Sequence, residues 1–382
     1  MSSRSRRDFL ASAAAAVAGM AVARQAWTQQ QKKPLTGCDY VQDLAKHWDV
    51  VRPALASRYH RLHHCFFHYV RNNWDTLDGA ARSAIADLQW DAPRPSMIKA
   101  KWDKRTGRTT VFWATANGSG EDFLFYHRWM IAMVDAMLAS HGLGPVEPWS
   151  DKDAIPAPRA GCDDEAVPPF IPRFEDPKSG NPIDLPFLQL RVEQMKKPSF
   201  FWDKLNWWGA ELRDYAALEE TSLGALGARI EGGVHNQMHI RWSAYPTNGW
   251  TLIRNEDDFR TKWDDPGYDT LFDEYSSHIG PYFYRLHKWV DNRIEDWAEA
   301  HGDEVVRYTT PWGFDWFRTG KWVQIDKPWT GAWGFDRITP DEERRRVSVM
   351  EKVAAAMFPP SEALLPPEQR EDRILSIRDL VD

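Results

Sequence analysis

The chain has 382 residues, with 48 Lys and Arg against 55 Asp and Glu, a formal net charge of −7 and 43% hydrophobic residues. This acidic balance offers no electrostatic footprint for nucleic acid or for an anionic membrane surface. No internal stretch is apolar and long enough to span a bilayer. The length suits one large or two ordinary domains, and 21 tryptophans predict a large core with aromatic-lined grooves.

At the N-terminus, Ser5-Arg6-Arg7-Asp8-Phe9-Leu10 precedes an alanine-rich, weakly apolar stretch that ends in Ala21-Val22-Ala23, a small-residue cleavage pattern. The paired arginines resemble a twin-arginine export signal, with an ordinary secretory signal as the alternative. Residues 1–23 are therefore expected to be a signal peptide and 24–40 an extended linker, and the mature protein is expected to work in the periplasm or outside the cell. There the three cysteines, Cys38, Cys65 and Cys162, allow one disulfide and one leftover thiol, and the pairing stays open.

From Val41 to Asp87 the apolar spacing is helical, and Asp75-Thr76-Leu77-Asp78 supplies capping residues between two helices. Thr109 to Trp113 predicts a short strand, and Phe123 to Ser140 a strong helix ended by His141-Gly142. Gly144 to Leu185 is rich in proline and acidic residues with little periodicity, which suits a functional loop or an insertion wrapped over the core. Helices follow over Phe201–Leu218, Val234–Ser243 and Ser277–His301. Residues 305–336 predict short strands and turns, and a charged amphipathic helix starts at Thr339 and straps over the surface. The fold class is mainly α, with one domain over 41–336 and a tail over 337–382.

His235-Asn236-Gln237-Met238-His239 carries the sharpest chemical signal. Two histidines four apart on a helix share one face, so both imidazoles reach one ion. The spacing by itself fits a polar helix face equally well. His60, His64 and His68 repeat it upstream, beside His63 and Cys65, and read as an accessory metal site or a polar face without metal.

Two segments together, His235 to His239 and Gly280 to Trp297, resemble the second copper motif of the tyrosinase, catechol oxidase and haemocyanin family. Pro281, Phe283, His287, Val290, Asp291 and Trp297 fall in the family's register without a gap, and the fit departs at Gly280 and Leu286. Upstream, Val70-Arg71-Asn72-Asn73-Trp74 resembles the family's first helical region. Phe123-Leu124-Phe125-Tyr126-His127-Arg128 resembles the motif bearing the last ligand of the first copper, and Pro148-Trp149 a tryptophan-rich region beyond it. The order and spacing hold over roughly residues 60–300.

The resemblance implies a tyrosinase-like helical bundle and copper bound by His235, His239 and His287, with zinc as the competing ion. It implies that Phe283 packs on the ligand rings and that Asn236, with Glu231 as a possible acidic partner, holds a water that takes a phenol proton. The departure lies at the first copper. No histidine occurs from Tyr69 to Tyr126, Asn117 stands near one missing ligand, and His127 is left without the partners the family places ahead of it.

The expectation is therefore one copper, with two as the alternative if the His60–His68 face is recruited. The protein is expected to be a periplasmic oxidoreductase acting on a small phenolic or related aromatic substrate with oxygen or peroxide. Asn236 and His127 would be its proton or water partners. The other readings are a non-catalytic copper-binding descendant and a two-copper catechol or phenol oxidase. His47, His141, His278 and His301 read as surface residues, and Glu231 reads equally well as a solvated carboxylate at a helix start.

Overall fold

The computed structural model describes residues 48–75, 77–88, 90, 93, 98–103, 108–113, 119–149, 167–176, 179–302 and 339–358. The expected signal peptide, the linker, Cys38, Cys162, Asn117, His47, the aromatic strands of 305–336 and the proline-rich end of the tail lie outside the described residues. Among those described, the fold is mainly α, as expected, and no helix is long and apolar enough to cross a membrane.

Helix α1 (Arg58–Asn73) starts where Ser57, in extended conformation, accepts a hydrogen bond from the His60 amide. From Arg61 to Asn73 every residue is buried, polar ones included. A buried polar side chain is costly unless it is hydrogen-bonded, so this helix must be read by its partners rather than by an apolar stripe. Helix α2 (Gly79–Asp87) is capped by Asp78, which accepts from the Ala81 amide at 2.8 Å, one of the residues the sequence marks as a cap. A hairpin follows, β1 (Ile98–Asp103) antiparallel to β2 (Arg108–Trp113), with Ile98 opposite Trp113; it contains the strand expected at 109–113.

Helix α3 (Ser119–Ser140) starts earlier than its apolar pattern implies and carries His127. The long proline-rich stretch contributes β3 (Arg173–Glu175) and β4 (Pro182–Ile183), which pair antiparallel, and β3 also runs parallel to β5 (Leu252–Ile253). Helix α4 (Pro186–Met195) follows. The helix expected over Phe201–Leu218 is interrupted: a π-helical turn (Phe201–Leu205) leads into α5 (Asn206–Glu211). Asp214 then caps a new helix, α6 (Tyr215–Glu219), by accepting from the Ala216 and Ala217 amides. A capping aspartate inside an apolar pattern is the local signal that splits it.

Helix α7 (Leu223–Arg229) runs through a second π turn (Ile230–His235) into α8 (Asn236–Trp242). Helix α9 (Pro281–His301) has proline in its first turn and ends at Gly302, whose φ of 52° suits glycine. Helix α10 (Pro340–Met357), capped by Thr339, buries Met350, Val353, Ala354 and Met357 and packs on α1 and α2, as the strap expected from the sequence.

Two glycines set the spacing around the histidines. Gly120 on α3 lies against Gly224 and Ala228, and Gly227 on α7 lies against the Gly120 backbone; a Cβ at either position would overlap that backbone. The absence of side chains lets α3 and α7 touch, and α3 also packs on α9. Around this junction one large apolar core gathers residues from α1, α2, α3, α7, α8, α9 and α10.

Candidate metal centre

Six imidazoles meet in the interior, from four helical segments. His64 and His68 come from α1, His127 from α3, His235 and His239 from the π turn and α8, and His287 from α9; none is more than 5% exposed. One nitrogen from each of His64, His68 and His127 lies within 4.8 Å of the others, and the same holds for His127, His235 and His287. His239 flanks the second set, its ring 4.4 Å from that of His235 and 5.3 Å from that of His287. The two sets share His127, whose ring stacks on that of His287 at 4.2 Å.

The main chain decides which nitrogen faces inward. His64 Nδ1 lies 2.6 Å from the Glu274 carbonyl, His127 Nδ1 2.8 Å from that of Phe123, His239 Nδ1 3.0 Å from that of Leu271 and His287 Nδ1 2.7 Å from that of Phe283. A carbonyl only accepts, so each Nδ1 donates and each Nε2 is left as a bare lone pair. The Nε2 atoms of His64, His127 and His239 are buried without any hydrogen-bond partner.

His235 Nδ1 donates to Asn236 Oδ1 at 3.0 Å, and its Nε2 then faces His287 Nε2 at 2.9 Å. With both Nδ1 protons committed, neither of these nitrogens has a proton to offer the other. Two lone pairs at that distance repel unless a cation sits with them. Burial pushes His64 down to about 3 and His239 to about 4, and holds His68, His127, His235 and His287 well below the ordinary imidazole value. The cation that the set accepts is thus a metal ion more readily than a proton. The buried histidine clusters could hold a metal ion, and the donor chemistry fits one.

Neighbouring groups hold the imidazoles in place. Phe283, fully buried, lies 3.8 Å from the His287 ring, 5.3 Å from His64, 5.7 Å from His239 and 5.8 Å from His127, as the family resemblance implies. Phe123 lies between His127 and His235, at 4.6 and 4.8 Å. Trp149 packs edge-on to Trp242 at 4.3 Å, and its carbonyl accepts from Arg285.

Three expectations change here. The His60–His68 helix carries no separate feature, since His64 and His68 turn inward to His127, while His60 turns away and donates to the Ala54 carbonyl. His127 itself is buried, donates to the Phe123 carbonyl and faces His235 and His287 as well as His64 and His68. The four-residue spacing of His60, His64 and His68 is visible in the sequence, but not that two of these rings meet His127.

Glu231 is not solvated. It is buried and accepts from both terminal nitrogens of the Arg71 guanidinium, one at 2.7 Å, and burial pushes its carboxyl above the ordinary value against the pull of Arg71. The pair joins residues 160 apart in sequence, Arg71 on α1 and Glu231 in the second π turn.

His278 is fully buried rather than at the surface. Its Nε2 donates to the Leu55 carbonyl at 3.0 Å, and its ring lies 4.6 Å from that of His64. His141 is exposed, as expected, and His301 is half-buried against Trp297. Cys65 is buried, forms no disulfide and lies 3.8 Å from an Arg254 nitrogen. Compared with protein families and with curated proteins, the sequence gives no match to any family and none to any curated protein.

Proposed function

We propose that this protein is a copper-dependent oxidoreductase that holds two ions, one on His64, His68 and His127 and one on His235, His239 and His287. Its substrate would be a small phenolic or related aromatic molecule, oxidised with oxygen. The observation that carries this reading is the convergence of buried imidazoles in two groups that share His127, with the Nε2 atoms of His64, His127 and His239 left without a hydrogen-bond partner. Six neutral imidazoles without a carboxylate suit copper or zinc rather than magnesium, calcium or manganese, and among divalent ions copper binds such donors most tightly. The motif resemblance around His235 and His287 points the same way.

Copper would supply the one-electron exchange with oxygen that no side chain of this protein provides. The chain's own residues hold, orient and enclose. The carbonyls of Glu274, Phe123, Leu271 and Phe283 fix the imidazole tautomers. Phe283 and Phe123 pack against the rings. Asn236 orients His235 through Oδ1, and its Nδ2 is buried without a partner, free to hold a substrate hydroxyl or a water beside the ring. Glu231 is held by Arg71, so proton uptake at its carboxylate would require that ion pair to loosen.

A second reading rests on the closure of the site. With every ligand at most 5% exposed, the ions could act as a staple of the fold without turnover. Metal analysis of the purified protein, together with oxygen uptake on a panel of catechols, separates the two. Two coppers per chain with uptake is the expected result. Two coppers without uptake would favour the staple, and fewer than two would overturn the two-ion reading.

A further inference from the structure

One short segment reaches both histidine sets. The Leu271 carbonyl accepts from His239 and the Glu274 carbonyl from His64, so two residues three apart in sequence orient one ligand of each set. Between them stands Asp273, buried at 4% exposure. Its carboxylate accepts from Arg254 Nε and Nη2, both at 3.2 Å, from the Tyr268 hydroxyl at 2.7 Å and from the Tyr275 amide at 3.1 Å. Its carbonyl accepts from the Ser276 and Ser277 amides at 2.9 and 2.7 Å.

Arg254 in turn is fully buried, and it donates to the carbonyls of Asn255, Glu256 and Asp258. A charge buried this deeply is tolerated only with its partner and its remaining hydrogen bonds in place. The pair therefore leaves segment 271–277 little freedom.

We propose that Asp273 is a positioning residue shared by both metal sites: by fixing this segment it aims His239 Nε2 and His64 Nε2 together. This rests on the two-ion reading above. Groups that orient a metal-bound imidazole change metal affinity by roughly 10–100-fold when removed. A group that serves one ligand in each set should do so at both sites at once.

The test is competition of copper(I) against a chelator, followed by native mass spectrometry to count ions per chain, on the full chain and on Asp273→Asn. The expected result is two ions in the parent and roughly 10–100-fold weaker binding of both in the variant. Tyr268→Phe, which removes one bond to the carboxylate and keeps the ion pair, should weaken both sites by a smaller and again parallel factor. Met350→Ala, a core cavity under α10, serves as control: it should lower the melting temperature and leave both affinities unchanged.

Two ions in the parent with Asp273→Asn unchanged, or weakened at one site only, would overturn the shared role while leaving the two-ion reading intact. Loss of affinity in Met350→Ala to the same degree would reduce Asp273 to general stability and overturn it too. Fewer than two ions in the parent would overturn both readings.

Discussion

Arg128, the residue after His127 on α3, forms a buried ion pair with Asp291, which lies one turn beyond His287 on α9, and it donates to Glu295 one further turn along. The pair locks the two helices in the register that stacks the His127 and His287 rings. It also gives a physical role to Arg128 and Asp291, neither of which offers an imidazole.

Removing Arg128 would leave Asp291 buried without its cation. Breaking a buried pair from one side costs about 3–5 kcal/mol, so Arg128→Ala should lower the free energy of unfolding in urea by that order. A change below about 1 kcal/mol, the ordinary worth of an exposed pair, would show that the pair does not clamp the helices.

The glycine contact between α3 and α7 makes a second prediction. Gly227→Ala places a methyl group against the Gly120 backbone, and overpacking of this kind costs about 1–3 kcal/mol, occasionally more. Because the shift would part the helices bearing His127 and His235, bound metal should fall along with the melting temperature. Full metal content at an unchanged melting temperature would argue against the contact.

Acid should destabilise the metal-free protein. Burial sets His64 at about 3 and His239 at about 4, against about 6.5 in an unfolded chain. Between those values the unfolded chain binds more protons, so stability is complete above pH 6.5 and declines as pH falls toward 4. Carboxylates titrate mostly below pH 5, so a fall in melting temperature of chelator-treated protein between pH 7 and pH 5 reports the histidines. A flat profile over that interval would contradict it.

The two sets should fail separately. His68→Ala should cost the ion of the first set and spare that of the second, and His239→Ala the reverse, each dropping the count from two ions to one by elemental analysis. Retention of both ions after His239→Ala would remove that residue from the site. Loss of both ions in either variant would mean that the sets are not separable.

Much of the site was legible in the sequence because its signals are local. His235 and His239 sit four apart, one helical turn, and the register of Pro281, Phe283, His287 and Asp291 depends only on spacing along α9. Helix starts at Asp78 and Thr339 are likewise written in single capping residues next to the segments they cap.

The mainly α character and the shared helix face of His235 and His239 therefore follow from the chain alone, whereas His287 joins them only through the resemblance of its segment. What only the tertiary structure decided is which distant groups meet. The same four-residue spacing in His60, His64 and His68 fits a solvated face, an accessory site or a shared centre. The choice fell to the packing of α1 against α3 and α9, which turns two of those rings toward His127 and leaves His60 on the Ala54 carbonyl. Glu231 and His278 went inward for the same reason: each has a partner far along the chain, Arg71 for one and the Leu55 carbonyl for the other. Burial of a polar group is set by whether such a partner is in reach, and that is a property of the folded packing, not of the local sequence.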